Sequence, residues 1–161
     1  MKRVIITMGL LIYIAISLSG QNKGKVDVKP YLKQNWKTLG LLYLAGFGEG
    51  HAELLQHHYY KFEGKYPNAN HQFWDPDLSW TNKYKNNDPE QGARFWGSTN
   101  VFVATTDAYH GFKFIQKAAI VGAVTINLNS KKKFRQYVLD AIIYLAAYTS
   151  GFYTSYGLMY N

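Results

Sequence analysis

The stretch LGLLYLAGFGEGHAELLQHHYY, residues 39–60, decides the fold that we predict for this chain. Its first half is apolar and rich in small residues, and its second half carries five ionisable groups. At about 100° per residue, Glu49, Glu53 and His57 fall within about 80° of one another on a helix. The pattern therefore predicts a helix that places carboxylate and imidazole groups on one face.

Two further apolar segments follow. Residues 99–128 are interrupted by ionisable side chains, whereas Asp140 is the only charge in residues 137–160. The segment of residues 137–160 is long enough to cross a hydrocarbon core of about 30 Å. Small residues recur in it every four positions, as in closely packed membrane helices. We therefore predict a transmembrane helix over 137–160; the alternative is a buried helix of a soluble exported domain.

The N-terminus has the pattern of a targeting segment. Lys2 and Arg3 precede sixteen uncharged residues, 4–19, and a polar stretch begins after Gly20. This order is typical of a secretory signal peptide. Residues 1–20 are therefore predicted to be a signal peptide or an uncleaved anchor helix, which places the protein in a bacterial inner membrane or envelope.

Composition and charge narrow the class further. A chain of 161 residues without cysteine is a single domain that holds no disulfide, thiolate metal site or cysteine nucleophile. The net charge of +8 is concentrated in residues 23–37 and 131–135, which flank apolar segments. This placement favours membrane lipids as partners and argues against nucleic acid, where basic residues line one face of a domain.

These patterns together predict a mainly α fold: a small helical membrane bundle with an N-terminal signal or anchor helix and one long polar, aromatic-rich loop. Residues 21–38 form a lysine-rich lead-in, and residues 39–161 form one helical domain whose polar loop covers residues 61–98.

Acidic and histidine side chains supply the candidate chemistry. Asp107 and His110 are three residues apart and share a helix face, as Glu49 and Glu53 do. Such groups on facing helices form metal sites or acid–base pairs. The candidate catalytic residues are thus Glu49, Glu53, Asp107 and His110, and the candidate ligands of a divalent, zinc-like ion are Glu49, Glu53, His58, Asp107 and His110. No strict metal motif is present, and a solvated or interfacial face explains the same residues equally well.

The polar loop contains a second candidate site. Several aromatic residues alternate there with amide and basic side chains and could form a binding surface for a protein partner. The alternatives are an aromatic belt at a membrane interface or a loop packed under its own rings. The residues are Trp74, Trp80, Tyr84, Phe95 and Trp96, with Asn82, Lys83 and Arg94.

Three strings carry a resemblance to a known family: GFGEGHAELLQHHYYKF, HQFWDPDLSWTNKYKN and FWGSTNVFVATTDAYH. Over roughly residues 46–110 the chain resembles a family of small uncharacterised bacterial proteins that are predicted to be helical and membrane-associated. The resemblance implies no reaction. It implies that Glu49, Glu53, His58, Asp107 and His110 belong to one shared arrangement.

Two functions remain compatible with the sequence. The first is a small helical membrane or envelope protein with a non-catalytic, structural or partner-binding role. The second is a metal-dependent membrane hydrolase that acts on a lipid or lipid-linked substrate through the Glu/His/Asp cluster, because a bound metal makes water nucleophilic at neutral pH. The second requires the carboxylate and imidazole groups of the two helices to converge.

Overall fold

The computed structural model describes residues 28–128 and 131–160. The predicted signal or anchor segment, residues 1–20, and the first part of the lysine-rich lead-in lie outside the described residues. The prediction of a mainly α fold is confirmed, because the described residues form helices and turns with one isolated β-bridge between Tyr84 and Ala93.

The longest element is helix α1, Val28–Lys65, which is about 57 Å long at 1.5 Å per residue. It contains the described part of the lysine-rich lead-in and the whole of residues 39–60, so these form one helix. The backbone leaves helical geometry at His58, with φ −140° and ψ 38°, which bends the last two turns. The helix ends before Pro67, a residue that cannot donate a backbone hydrogen bond.

Two further long helices pack against α1. Helix α4, Ala108–Asn127, is antiparallel to α1, since Asn127 contacts Thr38 while Phe112 lies against Gly48. Helix α5, Phe134–Phe152, is parallel to α1 and continues as a π-helix over Tyr153–Leu158. The three helices form a bundle with α1 in contact with both of the others.

Glycines allow the closest helix contacts. A Cβ atom on Gly46 would overlap the carbonyl oxygen of Tyr148, and one on Gly151 would overlap the carbonyl oxygen of Tyr43. Backbones that touch in this way need residues without a side chain at the crossing. The small-residue pattern noticed in residues 137–160 therefore marks the α1–α5 interface.

The prediction of a transmembrane helix over residues 137–160 is not met. Among the described residues, no single helix is both long enough and apolar enough to cross a bilayer. The segment is divided between α5 and the π-helix, and Asp140, Thr149 and Ser150 lower its hydropathy.

Residues 66–106, which we call the cap, close one end of the bundle. The predicted loop of residues 61–98 begins later, after α1 ends at Lys65, and extends up to Asp107. The cap contains two one-turn helices, α2 (His71–Trp74) and α3 (Pro76–Ser79), and four short 3₁₀ turns, Trp80–Lys83, Lys85–Asn87, Pro89–Gln91 and Val103–Thr105. Leu54, Leu55, Phe62, Ala108 and Tyr160 form the hydrophobic core beneath it.

Candidate functional site

Glu49 connects all three long helices. The hydroxyl of Tyr148 on α5 donates a hydrogen bond to the Glu49 carboxylate, and Gln116 Nε2 on α4 donates to the same hydroxyl over 3.0 Å. Glycines at positions 46, 48 and 50 allow the neighbouring helices to approach at this level. Glu49 is thus the acceptor of an interhelical hydrogen-bond chain.

Glu53 lies one turn further along α1, as the predicted stripe requires. His57 Nε2 is 3.4 Å from one of its oxygens, and Lys113 Nζ on α4 is 3.9 Å from the other. The side chains of both Glu53 and His57 are exposed enough for water to screen this contact. The partner that α4 offers to Glu53 is therefore a lysine rather than Asp107 or His110.

His51 and His58, which are seven residues apart on α1, lie in different surroundings. His51 is 4% exposed and stacks on Phe112 with 4.4 Å between ring centroids, while its Nδ1 lies 3.1 Å from the Phe47 carbonyl oxygen. His58 lies at the bend of α1, where its Nδ1 is 2.9 Å from the hydroxyl of Tyr156. His51 is thus packed in the core, and His58 joins α1 to the π-helix.

Asp107 and His110 are brought together at the start of α4. Asp107 is 1% exposed and is the N-cap residue, because its Oδ1 accepts a hydrogen bond from the backbone N–H of His110 over 2.8 Å. Its Oδ2 lies 2.7 Å from His110 Nδ1 and accepts a hydrogen bond from the Thr106 hydroxyl. This is a capping arrangement that also fixes the imidazole.

The five predicted metal ligands do not assemble around one point. Across residues 28–128 and 131–160, no three histidine, aspartate or glutamate side chains are placed to hold a metal ion. The structure divides them into separate contacts of Glu49 with Tyr148, of Glu53 with His57 and Lys113, of His58 with Tyr156, and of Asp107 with His110. The helices face each other, but tyrosine, glutamine and lysine lie where a metal site needs ligands.

A buried polar cluster at the other end of the bundle was not predicted. Asp140, the only charge of residues 137–160, accepts hydrogen bonds from Lys132 Nζ at 2.6 Å and from the Tyr31 hydroxyl at 2.5 Å. A lone acid in an apolar segment needs a buried partner, and this was the available signal. The partners could not be identified because they come from a different helix and from the α4–α5 loop.

The predicted aromatic surface of the cap is partly buried. Trp74 packs against Phe62 at 4.8 Å between ring centroids, and Asn82 is buried. Trp80, Phe95 and Trp96 are exposed, Trp96 to 81%. Part of the predicted aromatic surface is thus exposed on the cap, and the rest packs against the bundle or is buried within the cap.

An apolar groove lies between the cap and the end of the bundle. Its volume is about 520 Å³ and its aromatic walls are Phe62, Tyr66, Trp74 and Tyr160. Burial, with the nearby Tyr66 phenol, raises the pKa of Tyr160 to about 12. Burial, with the carboxylates of Asp75 and Glu63 nearby, also raises the pKa of Tyr59, so both phenols stay protonated at neutral pH.

Comparisons with known proteins add nothing to this geometry: no family model, curated protein or solved structure matches the chain. The resemblance to small helical membrane-associated proteins therefore stays a prediction. The described structure defines a helical bundle with a polar, capped end.

Proposed function

We propose that this protein is a small helical membrane or envelope protein with a non-catalytic, partner-binding role. Its bundle would be held in lipid by a band of exposed apolar side chains, and its cap would contact the partner. We call this band the hydrophobic belt. It consists of Leu32, Trp36, Tyr43 and Leu44 on α1, Phe114, Ile115, Ile120, Val121, Val124, Ile126 and Leu128 on or just after α4, and Phe134, Tyr137, Val138 and Leu145 on α5.

The observation that carries this proposal is the inverted polarity of the bundle. Asn35, Thr38 and Asp140 are buried, while large apolar side chains at the same level are exposed. In water such a surface is costly, at about 25 cal/mol for each Å² of apolar area. In a bilayer the same distribution is favourable, because lipid solvates the belt and the polar groups pair inside the bundle.

The dimensions of the belt support the same conclusion. Along α1 it extends from Leu32 to the level of Gly48, where Phe112 and Gln116 of α4 make contact. This distance is about 24 Å at 1.5 Å per residue, close to the hydrocarbon thickness of about 30 Å. Since no described helix is apolar enough alone, insertion would depend on the surface that the three helices share.

Basic side chains gather at the end of the bundle opposite the cap. Lys33 and Lys37 of α1 are exposed there, and so are Lys131, Lys133 and Arg135 beside the start of α5. Such side chains can extend from a buried stem to anionic headgroups. The positive end would therefore lie on the cytoplasmic side and the cap on the opposite side.

The cap supplies the partner surface of the proposal. Trp96, Val101 and Phe102 are exposed, and the rings of Trp96 and Phe102 lie 5.7 Å apart. Exposed aromatic clusters of this kind are enriched at the centres of protein interfaces. The belt and this cluster belong to different ends of the molecule, so one surface can engage lipid while the other engages a partner.

The non-catalytic role is supported by the contacts of the candidate catalytic residues. Glu49, Glu53, Asp107 and His110 each have a structural partner within the bundle or at a helix cap. A hydrolase would need them to converge on a shared ligand. No observation in the described residues favours that second function.

The test is membrane attachment of two matched variants. Val121 in the belt is 65% exposed and Val101 in the cap is 68% exposed. A glutamate at either position therefore replaces a valine of similar exposure. We expect Val121→Glu to move the protein from vesicle-bound to unbound fractions in a flotation assay. Val101→Glu should float like the unchanged protein. Equal flotation of both variants, or no flotation of the unchanged protein, would overturn the proposal.

A further inference from the structure

A polar cleft lies in the cap. Its volume is about 490 Å³, and the side chains that line it include Asn70, Gln72, Asn82, Asn86, Asn87 and Arg94. This volume falls in the range of about 300 to 1,000 Å³ that is usual for small-molecule sites. No carboxylate is among the described residues that line it, so the guanidinium gives the cleft a positive charge.

A buried hydrogen-bond network holds the floor of the cleft. Asn82 donates to the carbonyl oxygens of Gln72, at 2.7 Å, and of Thr106, at 3.1 Å. The side chain of Gln72 donates in turn to Asn82 Oδ1 at 2.8 Å. These hydrogen bonds join α2, the turn after α3 and the residue that precedes the N-cap of α4.

A turn at Asn86 and Asn87 forms part of the rim. Asn86 and Asn87 both have positive φ, 52° and 60°, a conformation that is uncommon for residues other than glycine. A hydrogen bond of 2.8 Å from Asn86 to Gln91 and the bridge between Tyr84 and Ala93 stabilise the turn. Asparagine adopts this conformation more readily than other residues with a side chain, so the turn is stable as it stands.

Several rim groups are left without partners. Within the described part of the chain, the side chains of Asn70, Asn87 and Arg94 make no hydrogen bond or ion pair. Phe73 adds an exposed ring to the same wall. The cleft thus combines exposed amides, one exposed guanidinium and one aromatic face.

We infer that this cleft binds an anionic sugar, meaning a sugar ring that bears a carboxylate or a phosphate. Amides both donate and accept hydrogen bonds, as sugar hydroxyls do, and a guanidinium binds carboxylate or phosphate through two parallel bonds. The Phe73 ring can cover the C–H face of the sugar. The inference goes beyond the protein-partner role proposed for the exposed Trp96 and Phe102 rings, because none of those residues lines the cleft.

The experiment measures sugar binding to the full chain in a sugar-free amphipol, by calorimetry and ligand-observed NMR. The probes are glucuronate, glucose 6-phosphate, glucose and inorganic phosphate. We expect at least one of the two anionic sugars to bind at about millimolar concentration or below, and glucose and phosphate to bind about tenfold more weakly. The two anionic sugars also show whether a carboxylate or a phosphate is preferred.

Variants distinguish binding in this cleft from a general effect of positive surface charge. Arg94→Gln should reduce the affinity for the anionic sugar about tenfold, to the level of glucose. Lys85→Gln removes the same charge from an exposed position outside the cleft and should leave the affinity within about twofold. Asn87→Gly preserves the positive φ while deleting the amide, and it should weaken every sugar several-fold.

Three results would overturn the inference: no binding of any sugar, equal effects of Arg94→Gln and Lys85→Gln, or phosphate binding as tightly as glucose 6-phosphate without glucuronate binding. Circular dichroism of each variant shows that the fold is intact. Flotation does not involve Arg94. If no sugar binds, the membrane proposal is therefore unaffected, and the flotation assay tests it independently.

Discussion

Gly46 of α1 lies so close to the carbonyl oxygen of Tyr148 of α5 that a Cβ atom on Gly46 would overlap it. Gly151 has the same relationship with Tyr43, one turn away on the two helices. The two backbones therefore touch at this crossing. The hydrogen bond from the Tyr148 hydroxyl to Glu49 depends on the same approach.

The first prediction concerns this crossing. Gly46→Ala should lower the free energy of unfolding by about 2 kcal/mol, because the helices must separate to admit the methyl group. Gly40→Ala is the matched control in the same helix, where nothing lies within 4 Å. That change should be neutral or should stabilise the protein by up to about 1 kcal/mol. Denaturant unfolding followed by circular dichroism measures the free energy of unfolding of both variants. Equal effects would show that the two backbones do not touch at Gly46.

The second prediction concerns the ion pair between buried Asp140 and partly buried Lys132. Asp140→Asn removes the ion pair but keeps the shape of the side chain, and it should cost about 3 kcal/mol because Lys132 loses its buried partner. Thermal unfolding of the variant gives the loss. The double variant Asp140→Asn with Lys132→Met should recover part of it. A single variant as stable as the unchanged protein would show that the pair is not formed.

The third prediction separates capping from catalysis at Asp107. Asparagine is as good an N-cap residue as aspartate, whereas alanine is not. Asp107→Asn should therefore keep most of the stability of the protein, and Asp107→Ala should lose about 1 to 2 kcal/mol. Hydrogen exchange of the first turn of α4 provides a local readout. If asparagine proved as disruptive as alanine, the carboxylate charge would have a role beyond the cap.

The fourth prediction concerns metal content. Elemental analysis of protein purified without chelators should find well below one zinc ion per chain, since its candidate ligands are divided among separate contacts. Glu49→Gln should leave this content unchanged. A stoichiometric metal that disappears in Glu49→Gln and in Asp107→Asn would instead support the metal-dependent hydrolase.

Local sequence patterns predicted the helices well. They could not predict the contacts between helices that determine the candidate site. The spacing of Glu49, Glu53 and His57 indicated a helix, and α1 contains all three on one face. The same spacing could not show that Tyr148 and Lys113, rather than Asp107 and His110, meet those carboxylates. Pairings of this kind depend on which helix crosses where, and here glycine contacts between α1 and α5 set the crossing.

The membrane prediction shows a related limit. Hydropathy along a segment averages the buried and exposed faces of a helix, so a buried Asp140 lowers the value of α5 although Leu145 on the same helix is exposed. The cap was hardest to anticipate, because its amide network joins Gln72, Asn82 and Thr106 across many residues of chain.

The central claim is that lipid covers the hydrophobic belt. The chain has no cysteine, so a single nitroxide can be attached at Val121→Cys in the belt and, as the control, at Glu90→Cys in the cap. Electron paramagnetic resonance in liposomes then compares collisions with oxygen, which concentrates in lipid, and with a water-soluble nickel complex. If lipid covers the belt, oxygen collisions dominate at position 121 and nickel collisions dominate at position 90. Nickel collisions that dominate at both positions would contradict that claim.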